Sequence, residues 1–141
     1  PADAQGADAD FEFIEIVNTG PDVVNLEGVS LEGVAFTFPA GATIAAGEHI
    51  VVAANAASYA GTYQTFQWAS GELDDVGETL NLRDALGQLV DTVTYDDEAP
   101  WPTDPAGVGP SLSLSNPASD NSDPANWAAS ATPGGTPGAA N

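Results

Sequence analysis

The 141-residue chain has no cysteine, no methionine and no lysine, and it carries one arginine (Arg83) and one histidine (His49). Each lack removes a class of function. Without cysteine there is neither a disulfide framework nor a thiolate zinc site. With a single arginine there is no basic cluster to neutralise phosphates, which excludes the usual electrostatic route to nucleic acid. Direct docking on anionic lipid is disfavoured for the same reason. No run of about 20 apolar residues exists, so no membrane-spanning helix is expected. A basic segment followed by an apolar one, the mark of a secretory signal, is also missing. The absent initiator methionine suits a mature fragment or excised domain with a signal or larger precursor upstream, and a choice of chain ends suits it equally.

Acid is what the chain has in excess: 21 Asp and Glu give a net charge of −20. Such self-repulsion must be offset by burial, counter-ions or bound cations. Alanine supplies 25 of the apolar residues and fills little volume. Leu, Ile, Val and Phe number 29, about 21% of the chain. That is just above the roughly 20% level at which a highly charged chain is expected to be disordered. Composition leaves the question open, and the pattern decides it. The length suits one domain, burying about two-thirds of its unfolded surface.

Residues 1–10 (PADAQGADAD) lack periodicity and read as a flexible leader, and 132–141 (TPGGTPGAAN) as a Gly/Pro-rich tail or linker. Between them, over 11–131, short apolar runs alternate with turn chemistry. In Phe11–Val17 (FEFIEIV), Phe11 and Phe13 share one face while Ile14 and Ile16 share the other. Either both faces are covered or a bulge switches phase. Val23–Leu31 is a second run, and Val34, Phe36 and Phe38 alternate as a half-buried strand ending at Pro39-Ala-Gly. His49–Ala53 (HIVVA) is nearly continuously apolar, as expected of a central strand. Residues 55–65 allow a turn or two of helix capped by Asn55 and stopped by Gly61. Thr79–Arg83 and Leu89–Tyr95 flank a hairpin loop at Asp84–Gly87; Ser111–Ser115 (SLSLS) alternates through Leu112 and Leu114, and Asn126–Ala129 is anchored by Trp127. About eight or nine short strands with almost no helix argue for an all-β antiparallel sandwich or barrel.

Several motifs in order resemble the lamin-tail domain in its bacterial form. They are Phe13-Ile-Glu-Ile-Val-Asn18, Val24-Asn-Leu-Glu-Gly28, Phe38-Pro-Ala-Gly-Ala-Thr-Ile-Ala-Ala-Gly47, Gly77-Glu-Thr-Leu-Asn-Leu82, Leu89-Val-Asp-Thr-Val-Thr-Tyr95, Pro100-Trp-Pro102, Gly109-Pro-Ser-Leu112, Asn126-Trp127 and Gly135-Thr-Pro-Gly138. The resemblance runs from about Asp10 to Asn141 and implies an immunoglobulin-like β-sandwich. It further implies a non-catalytic accessory module of secreted or surface proteins, attached to enzymes or coat components. No coiled-coil heptads precede the domain, so a filament role finds no support here.

A Ser–His–acid site around Glu48-His49 would need three groups in hydrogen-bond reach, and no G-x-S-x-G elbow is present. With 21 acids, some carboxylate pair at glycosidase spacing is inevitable and therefore uninformative. Hard cations suit the acidic loops better: Asp96-Asp-Glu98 with Asp104, and above all Asp120, Asn121 and Asp123, could offer oxygens to Ca²⁺. Neither loop has EF-hand spacing, and Asx-rich loops form turns with no ion. Asp91 shares the face of Leu89, Val93 and Tyr95, so it is expected buried and paired, with Arg83 across the hairpin or turn amides as partners. Trp101, between two prolines, and Trp127 read as core or edge cover. Trp68, with no such explanation, reads as the ligand-facing aromatic.

The expectation is therefore a non-enzymatic interaction or anchoring module, extracellular or on a cell surface. It would dock a larger protein to a protein partner or polysaccharide surface, with no nucleic acid and no direct membrane insertion, as a monomeric unit. A carbohydrate- or calcium-dependent ligand-binding module is the alternative.

Overall fold

The computed structural model describes residues 8–59, 63–103 and 110–138. Eleven strands follow in order among them: β1 (Phe13–Val17), β2 (Val24–Asn25), β3 (Ser30–Glu32), β4 (Phe36–Thr37), β5 (Thr43–Ile44), β6 (His49–Ala53), β7 (Gln64–Gln67), β8 (Gly77–Arg83), β9 (Leu89–Asp96), β10 (Pro110–Leu114) and β11 (Trp127–Pro133). Single 3₁₀ turns at Asp8–Phe11, Ala56–Tyr59 and Pro124–Asn126 are the helical pieces among the described residues. The excess over the expected eight or nine strands comes from β5 and β7, which the apolar pattern does not mark, and from the Val23–Leu31 run, which divides into β2 and β3.

The apolar run HIVVA lies where its pattern demands. β6 sits between β1 and β7, and Ile50, Val51, Val52 and Ala53 are each 0% exposed. Ile50 and Val52 point into the main core with Leu26, Leu31, Phe38, Ile44 and Trp68, while Val51 and Ala53 point the other way, onto Tyr59 and Phe13. Both faces of β1 are covered likewise: Ile14 and Ile16 pack on the main core and Phe13 on the second cluster. Its register with β6 runs unbroken from Phe13↔Ala53 to Val17↔His49, so no bulge is needed.

The main core lies between the β1-β6-β7 sheet and a second sheet ordered β4-β3-β8-β9. Phe36, Phe38 and Phe66 meet there with ring centroids 4.9–5.8 Å apart, in the tilted and edge-on arrangements that aromatic quadrupoles prefer. Each fully buried side chain of this size contributes about 1.5–3 kcal/mol. The result is an all-β, immunoglobulin-like sandwich.

The short helical turn allowed over residues 55–65 is present: Asn55 accepts a hydrogen bond from the Ala57 amide, as a cap should, and the 3₁₀ turn Ala56–Tyr59 follows, while Gly61 lies outside the described residues. Two sequence expectations need correction. The chain then crosses over, so that β7 pairs with β6 in parallel, Ile50↔Gln64 to Ala53↔Gln67, within an otherwise antiparallel fold. In SLSLS, it is Ser113 that is buried, 8% exposed, while Leu112 and Leu114 are half-buried.

Asn18, the last residue of the first motif, is buried and fully used. Its side-chain amide donates to the carbonyls of Asp22 and Ile44, and its side-chain oxygen accepts from the Gly20 amide. It thereby joins the end of β1 to the following turn and to β5.

Candidate functional site

Where the two main sheets and the β10–β11 hairpin approach one another they leave an open groove of about 700 Å³. Its sides are edges. β1 ends the first sheet, β9 ends the second, and β10 pairs only with β11 among the described residues. Strand alternation fixes what β1 presents there. The Glu12 carbonyl accepts from the Ala54 amide and the Asn18 amide donates to the Glu48 carbonyl, so even-numbered residues bond toward β6. The amides and carbonyls of Phe13, Glu15 and Val17 therefore point to the opposite edge, which no strand pairs among the described residues.

Apolar side chains of Ile16, Leu82, Val93, Leu112, Leu114 and Trp127 line the groove. Acids surround them: eight lining residues are Asp or Glu, and none is Lys or Arg. Asp75 and Asp97 make no hydrogen bond or ion pair within the described structure. Glu15 is held by His49 Nδ1 at 2.9 Å and by the Gly138 amide at 2.6 Å, so the Gly134–Gly138 segment closes one end. Tyr95 donates its hydroxyl to the Asp74 carbonyl, and burial together with the Glu78 carboxylate pushes its phenol pKa up.

A model of the Lamin Tail Domain family matches residues 1–97, more than two-thirds of the chain. The chain belongs to the lamin tail domain family. No curated protein matches it closely enough to count as a relative. Lamin tail domains are immunoglobulin-like and generally serve as non-catalytic interaction modules. The match reaches Asp97, so the Pro100-Trp101-Pro102 element and the closing hairpin lie beyond it.

Within this lamin tail domain the expected site residues fall in different places. Asp91 is exposed, not buried, because β9 runs out past the sandwich toward its hairpin tip, where Leu89 and Val90 are 52% and 58% exposed. Its carboxylate accepts both bonds from the Asn121 side-chain amide, at 2.8 and 2.9 Å, rather than pairing with Arg83. Arg83 turns to the other side of its strand and donates to Glu32 at 2.6 Å, which holds the Glu32 carboxyl below its ordinary range. Trp68 is no ligand-facing aromatic. It is 4% exposed in the main core, with its indole N–H on the Gly71 carbonyl. Trp101 is 9% exposed and packs on Trp127 at 5.9 Å, while the Trp127 indole N–H donates to the Asn121 carbonyl.

The oxygens of the 120–123 loop diverge. Asp120 accepts from the Ser122 amide and hydroxyl, Asn121 turns to Asp91, and Asp123 caps the 3₁₀ turn through the Ala125 amide. These are Asx turns. No group of three or more His, Asp or Glu gathers in metal-binding geometry among the described residues. Asp96 accepts from the Glu98 amide, and Asp104 lies outside the described residues. No helix among the described residues is long and apolar enough to cross a membrane.

The groove itself escaped the sequence reading. Its walls come from segments as far apart in the chain as Phe11 and Pro137, and no local period records their meeting.

Proposed function

We propose that this lamin tail domain is an extracellular or cell-surface docking module of the bacterial type, which holds a larger protein to a partner. The observation that carries this reading is the groove: an apolar floor bordered by the edges of β1, β9 and β10. Such edges recruit extended segments by strand addition. The motif order quoted from the sequence supports the bacterial type. A sugar- or calcium-dependent module finds less support, because Trp68 is in the core and the 120–123 loop oxygens serve their own turns.

The test is retention. A fluorescent carrier fused to the domain is applied to the surface fraction of the source cells and washed. The carrier should stay bound only when the domain is attached, and equal wash-off with and without it would refute the reading.

A further inference from the structure

We propose that the groove beside β1 takes an extended, Lys- or Arg-bearing segment of another protein, paired as an additional strand on the outer edge of β1. The inference rests on the docking reading above and names the partner's chemistry.

Geometry supplies the mode. The outward amides and carbonyls of Phe13, Glu15 and Val17 form a ready template, and a strand laid along them lies over the apolar floor of Leu112, Leu114 and Trp127. A bound strand alternates its side chains, so every second residue faces the floor and the others face the rim.

Charge supplies the identity. The rim is acidic throughout: Glu12 and Glu15 stand on the β1 side, Asp74 and Asp75 before β8, Asp96 and Asp97 at the end of β9. His49, the one basic side chain in the lining, is already engaged by Glu15, and Arg83 lies outside the groove on Glu32. No Lys or Arg lines this rim among the described residues. A second copy is a poor occupant, since each chain brings a net charge of −20 and a single arginine. Nucleic acid and anionic lipid are repelled by the same field. A segment alternating apolar and basic residues matches both the floor and the rim.

Three capped octapeptides test this on the full chain: four Lys-Val repeats, four Glu-Val repeats, and a Lys-Val peptide N-methylated at every residue. Binding is read by Trp fluorescence and by amide hydrogen exchange. The Lys-Val peptide should bind at least about tenfold tighter than either comparison peptide and should slow exchange at Phe13, Glu15 and Val17. Its affinity should fall several-fold between low and half-molar salt and in the Asp75→Asn/Asp97→Asn double variant, whose acids support no other structure. Equal affinity for the N-methylated peptide would overturn strand pairing in favour of plain ion attraction. No binding of the Lys-Val peptide at millimolar concentration would overturn the inference altogether. Retention of the fused carrier in that case leaves the docking reading standing with a different partner chemistry. Loss of retention with intact peptide binding would strike the docking reading and leave this one.

Discussion

Single residues in this domain carry weight according to what surrounds them, not according to how conspicuous they are in the sequence. Trp68 fills the core, and truncating it removes both a large apolar body and the partner of the Gly71 carbonyl. Trp68→Ala should therefore cost about 3–5 kcal/mol in denaturant unfolding, while the affinity of any groove ligand per folded molecule stays the same. A loss of ligand affinity with an unchanged midpoint would mean that the side chain faces a ligand after all. Asp91 is the opposite case. Its two bonds to Asn121 tie β9 to the loop after β10, but both residues lie near solvent, where such pairs add little net energy. A double-mutant cycle of Asp91→Ala and Asn121→Ala should give a coupling below about 1 kcal/mol. A coupling of several kcal/mol would require a buried, dry contact.

At the scale of the element, the β8–β9 hairpin shows how a strand is fixed at its ends. Gly77 opens β8 opposite Asp96 with φ of 111°, and a Cβ there would stand 2.5 Å from the Tyr95 carbonyl oxygen. Gly87, in the hairpin loop, has φ of 80° but nothing within 4 Å of a Cβ. Gly87→Ala should cost about 1–2 kcal/mol, from backbone strain alone. Gly77→Ala adds a clash with backbone that cannot move away, and should cost at least about 3 kcal/mol. Equal losses in parallel urea melts would show that the partner strand yields. The elements also show what a sequence can and cannot record. HIVVA was legible to the residue because β6 is buried on both faces, which demands continuous apolarity. β7 was not. QTFQ carries one large apolar residue, Phe66, and its parallel pairing depends on a crossover that no local signal announces. Period 2 in SLSLS was readable, but which face turns inward is set by the neighbours, and these buried Ser113. Asp91 was misplaced for a related reason: β9 outruns the sheet beneath it, so its inner face is covered at Val93 and Tyr95 but bare at Leu89.

At the scale of the whole molecule the question is how a chain of net charge −20 stays folded with one arginine, itself on the surface. Repulsion among carboxylates opposes the compact state at neutral pH, and local bonds offset it at only a few of them. Glu32 is held below its ordinary range by Arg83 and then Asn81, Glu48 by Gln64 and then the Ala45 amide, and Asp120 by the Ser122 hydroxyl and amide. For these acids the folded pKa is the lower one, so their stabilisation is present above the ordinary values of 4.5 and 3.8 and is lost as pH falls through the folded values. The alkaline limit has another source. Burial first, then Tyr63, pushes the Tyr59 phenol up to about 12, and its hydroxyl donates to the Phe11 carbonyl. Its contribution is full below pH 10 and is lost as pH rises from about 10 to 12. Tyr59→Phe should flatten the stability profile in that window, and an unaltered slope would place the alkaline loss elsewhere. Between these limits repulsion governs, and salt reports it directly. The Debye length falls from about 30 Å at 0.01 M to about 3 Å at 1 M, a range that spans the distances between charges on a domain of this size. The melting temperature should climb by several degrees from 0.01 to 0.15 M NaCl, where most long-range screening is gained, and more gently toward 1 M. The Arg83–Glu32 pair weakens over the same range, but one exposed pair cannot cancel the relief of the remaining acids. A midpoint that stays flat or falls would mean that the carboxylates are neutralised by tightly held cations rather than left facing one another across the surface.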